Sequence, residues 1–255
     1  MLSEKEKRSI RIDALREESR NERLQTRALV RTVLAKYVGS RTPPEELEFT
    51  YNEKGKPFLR EEFNRDRMIQ FSVSHSENLI AMAVATDGRR VGVDCEVEER
   101  RTKESCAKLA KRYFSKSAYE RINSALENDE DDGRRMFVKY WCLCESYVKA
   151  LGVGISGRPF KYFDIKQTKS SEIKLEETNV EECGKWAFEL FRENRTKSIV
   201  AVCAEDADKK RARKLPIVAS FRHIKPLLDE EDAYEELLSN RRTSKHSNDL
   251  EILGH

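Results

Sequence analysis

The stretch from Phe137 to Gly152, FVKYWCLCESYVKALG, decides how the rest of this 255-residue chain is read. Phe137, Tyr140, Trp141, Cys144, Val148 and Leu151 recur at helical spacing and form one apolar stripe, and Gly152 is placed to end the helix. Glu145 and Lys149 stand four residues apart, so they lie one above the other at the edge of that stripe. Taken alone, such a pair reads as a solvated salt bridge on a helix surface. Two other stretches give it a chemical meaning.

Val91-Gly92-Val93-Asp94-Cys95-Glu96-Val97 alternates as a strand: the valines and Cys95 face one side, while Gly92, Asp94 and Glu96 face the other. The two carboxylates are then ~6–7 Å apart at the backbone, close enough for both to reach one Mg²⁺. Acidic side chains are disfavoured in strands, so two on one face call either for an open, solvated sheet face or for a ligand. Gly92 leaves that surface open for a ligand. Phe71-Ser72-Val73-Ser74-His75-Ser76 and the run from Leu79 to Ala85 read as two strands joined by a polar turn. The amides and hydroxyls of Ser74 and Ser76, with His75, are candidates to hold an anion such as phosphate; a plain hydrogen-bonded turn is the alternative.

Composition narrows the class. With 38% hydrophobic residues, the chain can bury a core as one large domain or as two lobes of about 100 residues each. Net charge is only +3, which argues against a general nucleic-acid binder. The six cysteines, at 95, 106, 142, 144, 183 and 203, show neither the paired spacing of a zinc site nor the density of a disulfide scaffold, so reduced thiols in a cytosol-like compartment are expected. No apolar run is long enough to span a bilayer and no signal peptide is visible, so a soluble, cytoplasmic protein is expected.

Along the chain, Leu2 to Val38 reads as helical, with Leu24, Ala28, Leu29, Val33, Leu34 and Tyr37 as its apolar stripe and Arg23, Arg27 and Arg31 as a basic flank. Leu47 to Tyr51 reads as a short strand before the turn Asn52-Glu53-Lys54-Gly55-Lys56-Pro57. Residues 101–114 read as a helix and 128–133 as an acidic exposed loop. The glycine-rich segment from Gly152 to Gly157 fits GxGxxG, but it follows a helix and precedes Arg158-Pro159, so it is a turn rather than a dinucleotide site. Strands are expected over 160–165, 185–191 and 198–204, and a loosely attached polar tail from about Asp206, partly disordered.

FSVSHS, VGVDCE and WCLCESYVKALG, in that order, resemble the signature blocks of the two-lobed (pseudo-dimeric) phosphopantetheinyl transferases. RALVRTVLAKY and GKPFL extend the resemblance, which runs from about Leu2 to Ala204, and KALGVGISGRPF looks most like eukaryotic, plant-like members. The resemblance implies an α/β (α+β) fold of two similar lobes related by a pseudo-twofold axis, each a small sheet packed on helices: 1–97 and 98–205, followed by the tail 206–255. It further implies a monomeric transferase that moves the 4′-phosphopantetheine arm of coenzyme A onto a serine of an apo acyl or peptidyl carrier protein, releasing adenosine 3′,5′-bisphosphate. Asp94, Glu96 and Glu145 correspond to the family's Mg²⁺ ligands, and Glu145 and Lys149 to its catalytic pair. Ser74, His75 and Lys56, with Arg27 or Arg31, match positions near the adenosine and its 3′-phosphate.

Two departures favour a second reading, a relative that binds coenzyme A or a carrier protein without efficient transfer. Cys144 stands where the family usually has a basic residue before the glutamate, and helical geometry sets it in the middle of the apolar stripe, where a small thiol packs. Relatives also carry a strand-bearing segment ahead of the helix that here begins near Leu2, so a partial form with an unpaired sheet edge is expected.

Overall fold

A computed structural model describes residues 2–4, 6, 17–39, 42–64, 68–77, 79–168, 172–177 and 186–206. The tail beyond Asp206, Cys183 and most of the expected helix before residue 17 lie outside these. The fold is mixed helix and sheet, with several small sheets packed on helices, as the resemblance implies. In chain order it comprises α1 (Glu17–Val38), β1 (Phe49–Tyr51), β2 (Pro57–Leu59), β3 (Gln70–Ser76), β4 (Leu79–Ala85), β5 (Val91–Val97), α2 (Cys106–Tyr113), α3 (Lys116–Asn128) and α4 (Glu130–Leu151). After a short helical turn at Gly154–Gly157 come β6 (Phe163–Gln167), β7 (Ile173–Glu177), β8 (Trp186–Glu193) and β9 (Ser198–Glu205).

At the centre is an antiparallel sheet ordered β5-β9-β8, in which Asp94 pairs with Ala201 and Leu190 pairs with Ala201 from the other side. Strand β9 shows the two-residue alternation that fixes its register. Its Ile199, Ala201 and Cys203 join the core built around α4, whereas Val200, Val202 and Ala204 join a second cluster with Val91, Val93, Cys95 and Ala83 of the β3–β4 hairpin. A third cluster packs Val30, Leu34 and Ala35 of α1 on Leu47, Leu59, Ile69 and Phe71. The α1 stripe is therefore rotated from the expected one: Leu34 is buried, but Tyr37 is exposed and Arg31 faces inward.

Helix α4 begins seven residues earlier than the apolar stripe. The acidic run read as a loop is instead the end of α3 and the first turn of α4. Asp129 caps α4 by accepting the Asp132 amide at 2.8 Å, and Glu130, Asp131 and Asp132 occupy the first turn, where negative charge offsets the helix dipole. Helix α3 was not anticipated; Ser115 caps it, and Ala118 and Ile122 are its buried residues. Strand β7, which pairs antiparallel with β6, is a further element beyond the expected strands.

Gly92 has a different purpose from the one its strand position suggests. A Cβ there would lie 1.9 Å from the carbonyl oxygen of Ser146 and 2.5 Å from the amide nitrogen of Ala150, so the α4 backbone, and not a ligand, fills the space above it. Ser146 and Ala150 are small and almost fully buried, which allows this close approach. The contact fixes the depth at which α4 sits on β5. Gly92→Ala is expected to destabilise the fold by about 3 kcal/mol or more, because two backbones would have to move apart. A denaturant midpoint equal to that of the parent chain would contradict it.

Candidate active site

Strand β5 and helix α4 present their polar side chains to a common cleft of about 270 Å³, lined by Val73, Ser74, His75, Asp94, Glu96, Trp141, Glu145 and Lys149. Six of these eight were singled out in the sequence. Asp94 is buried, with 4% of its surface exposed, and lies at the bottom of the network. Its Oδ1 accepts the Lys149 ammonium at 2.7 Å and the Ser74 hydroxyl at 2.8 Å, and Lys149 Nζ also donates to Ser74 Oγ at 2.8 Å. Its Oδ2 is buried and has no hydrogen-bond partner. Glu96 accepts Ser76 Oγ at 3.4 Å and is paired with Arg100 on its other oxygen.

The serines of β3 serve β5. Ser72 Oγ accepts the Val93 amide at 3.1 Å, Ser74 donates to Asp94, and Ser76 donates to Glu96. Residues two apart on one strand thus meet residues along the edge of the next. At the expected anion-binding corner, the Ser74 and Ser76 hydroxyls donate to carboxylates. His75 stands half-exposed at the rim, with Nδ1 2.6 Å from Glu22 Oε1 of α1.

Three carboxylates face one ammonium in this cleft. Burial, followed by the nearby Asp94, pushes Glu145 up to about 7, and burial followed by Asp94 likewise raises Glu96 against the opposing pull of Arg100. The lining is short of positive charge, and its donors are oxygens. A hard divalent ion fits this donor set: Asp94, whose Oδ2 is buried without a partner, lines the same cleft as Glu96 and Glu145. Among the described residues, no three acidic, histidine or cysteine side chains converge into a cage by themselves. Mg²⁺ does not need one, because it keeps several waters and takes one or two carboxylates plus phosphate oxygens.

The remaining candidates lie elsewhere. Arg31 is a buried strut: it holds Glu6 Oε2 at 2.7 Å and donates to the carbonyls of Pro44, Glu45 and Leu47, so its guanidinium is committed to joining α1 to the 44–47 turn. Arg27 is half-buried on α1 and is not part of the cleft lining. Lys56 is also outside it; its ammonium donates to the carbonyls of Lys149, Ala150 and Val91. Cys144 is 2% exposed within the α4 core, as its place in the stripe predicts, and burial holds its thiol well above the usual range. Sequence reasoning missed Trp141 as a cleft wall, Glu22 behind His75 and Arg100 on Glu96. Trp141 read as one more core residue, Glu22 meets His75 only through tertiary approach, and Arg100 reaches Glu96 from four residues on, just past the turn that follows β5.

With the geometry in hand, the chain can be placed. Residues 90–203 match the profile of the 4′-phosphopantetheinyl transferase superfamily, and residues 1–87 match that of the 4′-phosphopantetheinyl transferase N-terminal region. The chain belongs to this superfamily and is of the two-domain type. Among individual relatives, it is 31% identical over 150 residues to the 4′-phosphopantetheinyl transferase HetI of Nostoc sp., covering 59% of each chain. It is 33% identical over 116 residues to the L-aminoadipate-semialdehyde dehydrogenase-phosphopantetheinyl transferase of Candida glabrata, covering 44% of this chain and 42% of that one. To the 4′-phosphopantetheinyl transferase Sfp of Bacillus subtilis it is 29% identical over 153 residues, covering 59% of this chain and 62% of Sfp. The matches thus span roughly two to three fifths of these relatives' lengths. No helix among the described residues is long and apolar enough to cross a membrane.

The raised Glu145 has a consequence for stability. Its carboxyl holds its proton to about 7 when folded, against 4.5 ordinarily. The folded state therefore binds more protons between these values, and stability falls as pH rises through them. In chain freed of divalent ions with a chelator, Glu145→Gln is expected to stabilise by up to about 3 kcal/mol at pH 8 and by nothing at pH 4.5, read from thermal unfolding midpoints. Equal shifts at both pH values would contradict the raised ionisation.

Proposed function

We propose that the chain transfers the 4′-phosphopantetheine arm of coenzyme A to a serine of an apo carrier protein. The supporting observation is the contact of Lys149 and Ser74 on one oxygen of buried Asp94, whose other oxygen lies partnerless beside the cleft shared with Glu96 and Glu145. At about 270 Å³ the cleft suits a diphosphate and a metal ion, and it is too small for all of coenzyme A, so the adenosine and the arm extend along the surface. Asp94, Glu96 and Glu145 are the residues to hold Mg²⁺, which when bound neutralises charge on the diphosphate.

In the transfer, the carrier serine oxygen forms a bond to the phosphorus bearing the pantetheine arm. The bond from that phosphorus to the bridging oxygen breaks, and adenosine 3′,5′-bisphosphate leaves with the electron pair. The serine proton passes, directly or through water, to Glu145, a carboxylate that lines the cleft beside Lys149. Lys149 sits one helical turn away and steadies charge on the diphosphate oxygens, while His75 at the rim faces the adenosine phosphate. The chemistry asked of the protein is positioning and charge neutralisation.

The burial of Cys144 supports the second reading, coenzyme A binding without efficient transfer. The cleft has one lysine, Lys149, and no amine from the position before Glu145. Incubation with an apo carrier protein, coenzyme A and Mg²⁺, followed by mass spectrometry, separates the two readings. A phosphopantetheine increment on the carrier is expected. Coenzyme A protecting the chain from heat without any increment would select the second reading, and neither effect would remove both. Asp94→Ala and Glu145→Ala are each expected to reduce Mg²⁺-dependent transfer at least ~10²-fold with the fold retained by circular dichroism. Unchanged rates would refute these roles.

A further inference from the structure

Lys56 matches a family position expected beside the adenosine phosphate, yet its ammonium is used elsewhere. It has three N–H donors, and the structure supplies three acceptors: the carbonyls of Lys149 at 2.8 Å, Ala150 at 3.0 Å and Val91 at 3.3 Å. Two of these belong to the last turn of α4, where the Lys149 carbonyl otherwise accepts only the Gly152 cap amide, at 3.2 Å, and the third begins β5. Asn52, from the same turn, donates through Nδ2 to Gly152 O at 2.7 Å, while its Oδ1 accepts the amides of Lys54 and Lys56 and holds the turn closed. Gly152 makes room in its left-handed conformation (φ +74°): a Cβ there would lie 3.0 Å from Lys56 Cδ and 3.1 Å from Asn52 Nδ2.

Burial, followed by the nearby Arg90, brings the Lys56 ammonium down to about 8, and the groups that answer its charge are the carbonyl dipoles it touches at the negative end of a helix. An ammonium spent on three backbone oxygens has no donor left for a phosphate.

We infer that Lys56 and Asn52 form a clamp between β5 and the end of α4, and that they act as positioning residues that set where Lys149 enters the cleft. The Lys149 carbonyl is held by Lys56 on one side of the backbone while its ammonium reaches Asp94 on the other. A turn some 93 residues earlier in the chain thus fixes the register of the residue that faces the diphosphate. The inference rests on the transferase reading only for its kinetic consequence.

Two measurements test it. In the transfer assay, Lys56→Met is expected to lower kcat about tenfold or more while KM for coenzyme A moves less than about threefold, because a misplaced catalytic group costs rate. Its preference for coenzyme A over coenzyme A lacking the 3′-phosphate should stay at the parent value. Asn52→Ala, which changes no charge, is expected to shift the same parameters in the same direction. A tenfold rise in KM with loss of that preference would overturn the inference in favour of phosphate binding by Lys56, and an unchanged kcat would overturn it outright. Hydrogen exchange of residues 146–153, which needs no activity, is expected to speed up in both variants; unchanged exchange would dissolve the clamp. If the parent chain transfers nothing, the functional reading fails while the exchange result still decides the clamp. If Lys56→Met does not fold, Asn52→Ala carries both readouts.

Discussion

Helix α4 lies directly on the backbone of β5 at Gly92, and the site depends on that approach. A strand advances about 6.6 Å every two residues and a helix about 6 Å every four, so side chains at Asp94 and Glu96 keep pace with those at Glu145 and Lys149 when the two elements run in contact. Any side chain at 92 would lift the helix away, because the nearest atoms are the carbonyl of Ser146 and the amide of Ala150 and neither can turn aside. The cleft opens beyond Gly92, where polar residues replace glycine on the same strand face.

What the contact creates is electrostatically incomplete. Three carboxylates crowd the cleft, Asp94 shares one oxygen between Lys149 and Ser74, and its second oxygen is buried without a partner. Leaving a buried carboxylate oxygen unpaired is costly in a folded protein. Apolar residues would serve stability better, so the cost points to a ligand that supplies positive charge. The same logic separates the clefted lysine from its neighbour in space: Lys149 points its ammonium at the Asp94 carboxylate, whereas Lys56 is satisfied by carbonyls and lies outside the cleft.

Much of this was legible in the sequence because it rests on short periods. The alternation of Val91 to Val97 and the four-residue step from Glu145 to Lys149 are local, and each placed its side chains on the face where the structure has them. Cys144 fell in the core for the same reason. Long-range approach was not legible. Arg31 repeats every four residues with two other arginines and reads as a surface flank, but the 44–47 turn folds against it and takes its donors. Gly92 read as an opening for a ligand because nothing in the strand reveals that a helix 54 residues later lies on it. The acidic run at 128–133 read as a loop since its charge outweighed its position, immediately ahead of a helix whose first turn favours such residues.

The central claim is that Asp94, Glu96 and Glu145 meet at one divalent ion against the diphosphate of coenzyme A. Crystals grown with coenzyme A and Mn²⁺ in place of Mg²⁺ allow the ion to be located by its anomalous scattering. The account predicts a peak within about 2.3 Å of carboxylate oxygens in the cleft, with the coenzyme A diphosphate beside it. A diphosphate bound on another surface, or an ion that touches none of the three carboxylates, would contradict it.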